Sequence, residues 1–172
     1  MAQTCTCLYD SPPGGILITA DDEGITEVYF ADRKAEAKCP GGEGKILSEA
    51  RRWFDEYFAG KAPSWVPPLH IEGSDFEKEV CAILLKIPYG KTRTYGDIAD
   101  EISKKRGRKS SARAVGGGVG RNPICIIVPC HRVVGANGNL TGYAEGMDRK
   151  VALLKLEKAD MKGFYVPKAR KH

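Results

Sequence analysis

The sequence predicts a small α/β domain over residues 1–72, followed by a mainly α domain over 73–172 that contains a helix-turn-helix. Three observations predict it. Two short strand patterns and one amphipathic helix precede a stretch punctuated by Pro63, Pro67 and Pro68. Beyond that break, serine and threonine caps introduce three short helical patterns, with a run of cations between the second and third. Charge divides at the same place: residues 1–75 carry a net −6 and residues 76–172 a net +11, within a total of +5.

Ile16 to Ala20 and Ile25 to Phe30 flank the acidic turn Asp21-Asp22-Glu23-Gly24, which predicts an antiparallel hairpin. Gly41 to Gly44 breaks the chain. Ile46, Leu47, Ala50, Trp53, Phe54, Tyr57 and Phe58 then recur at helical spacing up to Gly60, as core rather than as a ligand box. The prolines between 60 and 73 mark a linker. Ser74 and Glu77 match a capping box, so a helix starts there with Phe76, Val80, Ile83 and Leu84 on one face, and Ile87-Pro88-Tyr89-Gly90 stops it. Thr94 caps a second helix carrying Tyr95, Ile98, Ala99 and Ile102. Lys104 to Lys109 place five cations in six residues and are expected to form a loop. Ser110 or Ser111 caps a third helix, Ala112 to Val119, whose small residues permit close approach to another surface. Two short helices around a basic turn suggest a helix-turn-helix, although such pairs occur in many folds. In that unit the second helix meets DNA, and Arg113 lies near its N-terminus, where backbone N–H groups favour phosphate.

No apolar run nears the roughly 20 residues of a membrane span and no basic-flanked apolar leader opens the chain, so the cytosol is the expected compartment. Six scattered cysteines, Cys5, Cys7, Cys39, Cys81, Cys125 and Cys130, are expected to be reduced. Cys5-x-Cys7 with Cys39 has poor spacing for zinc, so no metal is expected. The basic half is the footprint of a phosphate-backbone partner, with a merely solvated lysine-rich surface as the alternative.

Ile124 to Val128 is an apolar, β-branched run that predicts a buried strand leading into Pro129-Cys130-His131-Arg132-Val133-Val134. A lone core cysteine is usually inert packing. Here His131 and Arg132 adjoin it, and nearby cations stabilise the nucleophilic thiolate. Neighbours in an extended strand point to opposite faces, so His131 is expected to reach the Cys130 sulfur only through a water unless Pro129 bends the chain. Downstream, Met147 to Lys158 predicts a helix on which Glu157 shares a face with Leu153 and Leu154. Glu157 either orients His131 or ends that stripe at the solvent edge.

These residues resemble the O6-alkylguanine-DNA alkyltransferases, the methylated-DNA to protein-cysteine methyltransferase family. The resemblance runs from Phe76 to Glu157 through Ile87-Pro-Tyr-Gly-Lys-Thr-Arg-Thr-Tyr-Gly96, Ala112-Arg-Ala-Val-Gly116, Asn122-Pro123, Pro129-Cys-His-Arg-Val-Val134 and Leu140-Thr-Gly-Tyr143. In the first half Tyr57-Phe58-Ala59-Gly60 carries it more weakly. It implies a ribonuclease-H-like first domain and a monomeric, cofactor-free DNA repair protein. Its partner would be double-stranded DNA containing O6-alkylguanine, whose alkyl group passes irreversibly to Cys130 once per chain. By the same resemblance His131 relays a proton through a water, Glu157 orients His131, and Asn122 braces the junction between the DNA-reading helices and the active site. Arg113 enters the duplex in place of the extruded nucleotide, Tyr95 pushes or holds the phosphate that rotates, and Tyr143 helps protonate the departing guanine. Arg132, Val133, Ala144 and Glu145 complete the set facing DNA and lesion. Elementary chemistry agrees, since displacement at an sp3 carbon favours a thiolate and a stacked base must be flipped out to be reached.

The chain departs from the family pattern at Glu77 and Cys81, where the first helix usually reads Gln and later Trp, in a longer cationic insert before Ser110, and at Ala144-Glu145-Gly146, where small residues are common. Two other classes compete. A lesion-binding protein without chemistry would carry Trp in place of Cys130, and a Cys-His hydrolase would need an oxyanion hole that nothing in the sequence marks.

Overall fold

The computed structural model describes residues 4–31, 38–39 and 42–167, so Gly41 of the expected glycine break lies outside the described residues. The chain forms two compact units, Met1–Gly73 with Pro123–Ile127, and Ser74–Asn122 with Val128–His172.

The first unit is a three-stranded antiparallel sheet, β1 (Cys5–Ser11), β2 (Gly14–Ala20) and β3 (Ile25–Phe30), with helix α1 (Lys45–Phe58). The predicted hairpin is β2–β3, paired from Ile16↔Phe30 to Ala20↔Ile25. The sequence did not predict β1, whose polar composition leaves Cys7 as its one fully buried residue; pairing with β2 holds it in place. Helix α1 buries Leu47, Ala50, Trp53, Phe54 and Tyr57, so these aromatics are core as expected. Trp53 stacks on Tyr57 with ring centroids 5.2 Å apart, and Tyr9 lies 5.4 Å from Phe54. The proline-rich linker is pinned to the hairpin: the Ile25 N–H donates to the Pro68 carbonyl and the His70 N–H to the Ile25 carbonyl, both at 2.8 Å.

Two expectations are corrected in this unit. Cys5 and Cys39 are joined as a disulfide, with Cα atoms 4.5 Å apart, rather than reduced. The Thr6 N–H donates to the Lys38 carbonyl at 2.9 Å, which lays residue 39 beside the start of β1, the strand that the sequence hides. Cys7, Cys81, Cys125 and Cys130 remain thiols, all buried. The run from Ile124 to Val128 is not a strand. The Cys125 N–H donates once to the Val28 carbonyl, and the chain then turns tightly at Ile126, φ 71°, where the Ile127 N–H donates back to the Cys125 carbonyl at 2.8 Å. A β-branched residue at positive φ costs on the order of 1–3 kcal/mol. Burial, which the apolar run did announce, is what it shares with a strand.

The second unit holds α2 (Asp75–Leu84), β4 (Arg93–Thr94), α3 (Tyr95–Arg106), α4 (Ala112–Gly120), β5 (Val133–Val134) and α5 (Met147–Leu156). Capping boxes at Ser74 with Glu77 and at Thr94 with Asp97 start α2 and α3, and Ser111 accepts from the Ala114 N–H to start α4. Lys104, Lys105 and Arg106 form the last turn of α3, not a loop, because cations there oppose the negative end of the helix dipole and still face water. Only the residues from Gly107 to Ser111 form the turn. Helix α4 lies close on α2 through Gly118, where a Cβ would stand 3.2 Å from the Val80 side chain. Strands β4 and β5 pair in parallel, Arg93↔Val133 and Thr94↔Val134, which sets the start of α3 beside the chain leaving Arg132. Among the described residues no helix is long and apolar enough to cross a membrane.

Candidate active site

Cys130 begins a single turn of 3-10 helix, Cys130–Arg132, and the backbone reaches it through a bend rather than an extended strand. Pro129 adopts φ −81°, ψ 67°, and the Cys130 N–H donates to the Val128 carbonyl at 2.8 Å, an inverse γ-turn. The strict alternation assumed from sequence therefore does not apply. The Asn122 side chain donates to the same Val128 carbonyl at 2.9 Å. Because Asn122 lies two residues past α4 and its N–H donates to the Val119 carbonyl at 3.1 Å, one side chain ties the end of α4 to the turn that carries the thiol.

Behind the thiol lies a buried charge cluster. His131 is fully buried and its Nε2 lies 2.5 Å from Glu157 Oε2. Arg132 grips the same carboxylate with two parallel bonds, Nε to Oε1 at 2.8 Å and Nη2 to Oε2 at 3.1 Å, and donates a third to the Ile87 carbonyl at 2.7 Å. The Gly90 N–H adds a bond to Glu157 Oε1 at 3.0 Å. Gly90 must be glycine: its φ is 77°, and a Cβ would meet the Glu157 carbonyl oxygen at 2.8 Å. Burial alone would raise the Glu157 carboxyl, but the bonds from His131 and Arg132 outweigh it and hold the group down to about 2. Burial pushes His131 the other way, toward the neutral ring, helped by the nearby Arg132 and Lys150 cations and opposed by Glu157. A neutral ring beside an ionised carboxylate must place its proton on Nε2, which leaves Nδ1 as the basic nitrogen.

Lys150 on α5 is fully buried and donates from Nζ to the Val133 carbonyl at 2.6 Å and the Thr141 carbonyl at 3.1 Å. Burial lowers this ammonium to about 8, with the Cys130 sulfur acting against the shift. By contrast, burial pushes the Cys7 and Cys81 thiols up to about 11, so both are protonated and unreactive at neutral pH.

A cleft of about 440 Å³ opens in the same unit, lined by Thr94, Tyr95 and Gly96 at the start of α3, Ala112, Arg113 and Gly116 on α4, and Ala136, Thr141 and Gly142. The Tyr95 hydroxyl donates to the Thr141 carbonyl at 3.2 Å, and the Arg113 side chain is exposed.

Of the residues singled out from sequence, the structure joins His131, Arg132 and Glu157 directly, ties Asn122 to the Cys130 turn, and sets Tyr95 and Arg113 in one cleft. Tyr143 is buried at the end of the Thr141–Gly142 stretch, and the Val133 carbonyl is held by Lys150. Arg132 was expected to face DNA; instead it is 8% exposed with its donors committed to Glu157 and Ile87. Ala144 is exposed and Glu145 half-buried, and the cleft takes Thr141 and Gly142 from that loop instead. Glu157 is inside, at the C-cap of α5, rather than at a solvent edge. Sequence reasoning missed Lys150 and Gly90. Lys150 lies three, four and seven residues before Leu153, Leu154 and Glu157, so a lysine on an apolar helix face was the available signal.

The model of the 6-O-methylguanine DNA methyltransferase ribonuclease-like domain matches residues 6–67, and that of the same family's DNA-binding domain matches residues 75–159. The chain belongs to this family. A methylated-DNA--protein-cysteine methyltransferase of Methanosarcina acetivorans is 48% identical over 87% of the chain and 96% of its own length. The one from Mycobacterium tuberculosis is 44% identical over 87% of the chain and 90% of its own length. The crystal structure of Mycobacterium tuberculosis O6-methylguanine methyltransferase superposes with a TM-score of 0.77 at 41% identity, covering 91% of this chain and 93% of that one. A structure from the same organism in complex with DNA gives 0.75 at 42% identity, covering 88% and 91%. Like these relatives, the chain pairs a small α/β unit with a mainly helical one.

Proposed function

We propose that this protein repairs alkylated duplex DNA by moving the alkyl group from O6 of guanine onto Cys130, once and irreversibly. The observation that carries the reading is the Cys130 turn: a thiol followed by a buried neutral histidine, whose Nε2 is held by an ionised carboxylate that Arg132 clamps. His131 Nδ1 takes the thiol proton through a water. The thiolate attacks the alkyl carbon, a carbon–sulfur bond forms as the carbon–O6 bond breaks, and the guanine leaves with one proton delivered by Tyr143 and restored from His131. Nothing regenerates the thiol from the thioether, so turnover stops at one.

The base must leave the stack to meet Cys130, at a cost of a few kcal/mol. Arg113, exposed at the cleft, fills the gap, and Tyr95, across the same cleft, holds the rotated phosphate. Asn122 keeps α4 and the Cys130 turn in fixed relation. Val133, Ala144 and Glu145 border the lesion, while Arg132 serves Glu157 rather than DNA. A single displacement needs no second copy, so the protein acts as a monomer, and the reading puts it in the cytoplasm.

Mass spectrometry after mixing with an oligonucleotide duplex containing O6-methylguanine tests the reading. One methyl group per chain on the Cys130 peptide is expected, with none on a Cys130→Ser variant that still binds the duplex. Methylation elsewhere, or multiple turnover, overturns it.

A further inference from the structure

The end of α3 and the turn into α4 carry three cations that neither the fold nor the proposed chemistry uses. From Lys104 to Ala114 the chain has six cations and no acid. Three of them differ from the rest in having structural work. Arg106 donates to Glu79 at 2.8 Å and lies over the Phe76 ring at 5.2 Å, Lys105 pairs with Glu101 at 3.4 Å, and Arg113 lines the cleft. Lys104, Arg108 and Lys109 are exposed and make no hydrogen bond or ion pair among the described residues.

Lys104 stands on the last turn of α3, and the turn that presents Arg108 and Lys109 has a defined shape. Gly107 caps α3 in the left-handed conformation, the Ser103 hydroxyl donates to the Ala99 carbonyl at 2.7 Å and accepts the Ser110 N–H at 2.7 Å, and Ser111 caps α4. The chain therefore leaves one helix and enters the other from a fixed point. Lys109 is three residues before Ala112, which lines the cleft, so their Cα atoms are at most about 10 Å apart. Three cations within six residues of chain repel one another, and a polyanion is the partner that relieves this. The nine-residue helix α4 starts at the same place and adds the positive end of its dipole.

We infer that Lys104, Arg108 and Lys109 form a phosphate-binding rim on the α4 side of the cleft, extending the contact with duplex DNA beyond the lesion itself. The inference rests on the proposed DNA repair function and deepens it. Phosphates carry no sequence or lesion information, so the rim strengthens binding to damaged and undamaged duplex alike, the mode in which a repair protein searches.

The test measures Kd of the full chain for undamaged and O6-methylguanine duplexes of equal length as KCl rises from 50 to 200 mM. Removing one cation from a phosphate lowers the slope of log K against log salt by about 0.9, so Arg108→Ala with Lys109→Ala lowers it by about 2. The affinity deficit of this variant then shrinks about tenfold across that range. It is the same for both duplexes, and the reaction with free O6-benzylguanine is unchanged. Arg108→Lys with Lys109→Arg, which keeps both charges, restores the slope. An unchanged slope overturns the rim, as does a variant that loses the free-base reaction as well, because the turn would then serve the fold of the cleft. Failure of the wild-type chain to take a methyl group from the duplex overturns the repair function instead, and leaves the salt slopes to judge the rim by themselves.

Discussion

Replacing Glu157 with Gln tests the buried cluster most severely, because it removes one charge and almost no volume. In the wild type the carboxylate accepts two bonds from Arg132, one from the Gly90 N–H, and one shared with His131, at 2% exposure. A carboxyl held at about 2 instead of its ordinary 4.5 contributes about 3 kcal/mol to folding at neutral pH. Stranding the Arg132 cation in the interior leads independently to about 3–5 kcal/mol. The two routes agree, and about 3 kcal/mol lowers Tm by roughly 6–12 °C in a chain of this size. The sign with pH follows from a depressed carboxyl: its stabilisation is complete above about 4.5 and is lost as pH falls toward about 2. Thermal melts of wild type and Glu157→Gln from pH 7 to pH 3 should therefore converge on acidification. Methyl transfer should also slow by about 100-fold, since His131 loses the anionic acceptor that fixes its proton on Nε2 and stabilises the ring as it takes up a second proton. A Tm difference under about 2 °C at pH 7, or one that does not shrink by pH 3, would refute this account of the cluster.

Arg113→Ala should slow repair of duplex DNA by about 10–100-fold while leaving the reaction with free O6-benzylguanine intact, since only a stacked base needs a wedge; equal losses in single-turnover rates would count against it. Lys150 titrates at about 8 in the fold and at 10.5 when unfolded, so the unfolded chain binds the extra proton between those values and stability rises with pH there. Wild type should gain up to about 3 kcal/mol on Lys150→Met between pH 8 and 10.5 in denaturant titrations, and parallel curves would exclude a buried, shifted lysine. His70 is raised above 6.5 chiefly by its bond to Asp21, so the clasp between linker and hairpin is complete below that pH and is lost as pH rises through the folded value. His70→Asn should melt below wild type at pH 6 and approach it at pH 9; a gap that stays constant would show that the His70 charge contributes nothing.

What the sequence determined by itself is local. Ser74, Thr94 and Ser111 start their helices because a side-chain oxygen three residues before an orphan N–H caps it whatever lies elsewhere in the chain. The α1 stripe declared its buried face, and Pro129-Cys130-His131-Arg132 marked the candidate site, since those residue types adjoin in the chain itself. The tertiary structure decided everything that depends on partners distant in sequence. Pairing with β2 creates β1 from a polar segment and brings Cys39 to Cys5, and one carboxylate at the end of α5 turns Arg132 inward. The apolar run before Pro129 signalled burial but not its shape, because the strain at Ile126 is compensated by packing that no neighbouring residue encodes. Lys150 is the clearest case. A lysine is ordinarily a surface residue, and only the convergence of the Val133 and Thr141 carbonyls, from two separate stretches, makes its burial behind the thiol sustainable.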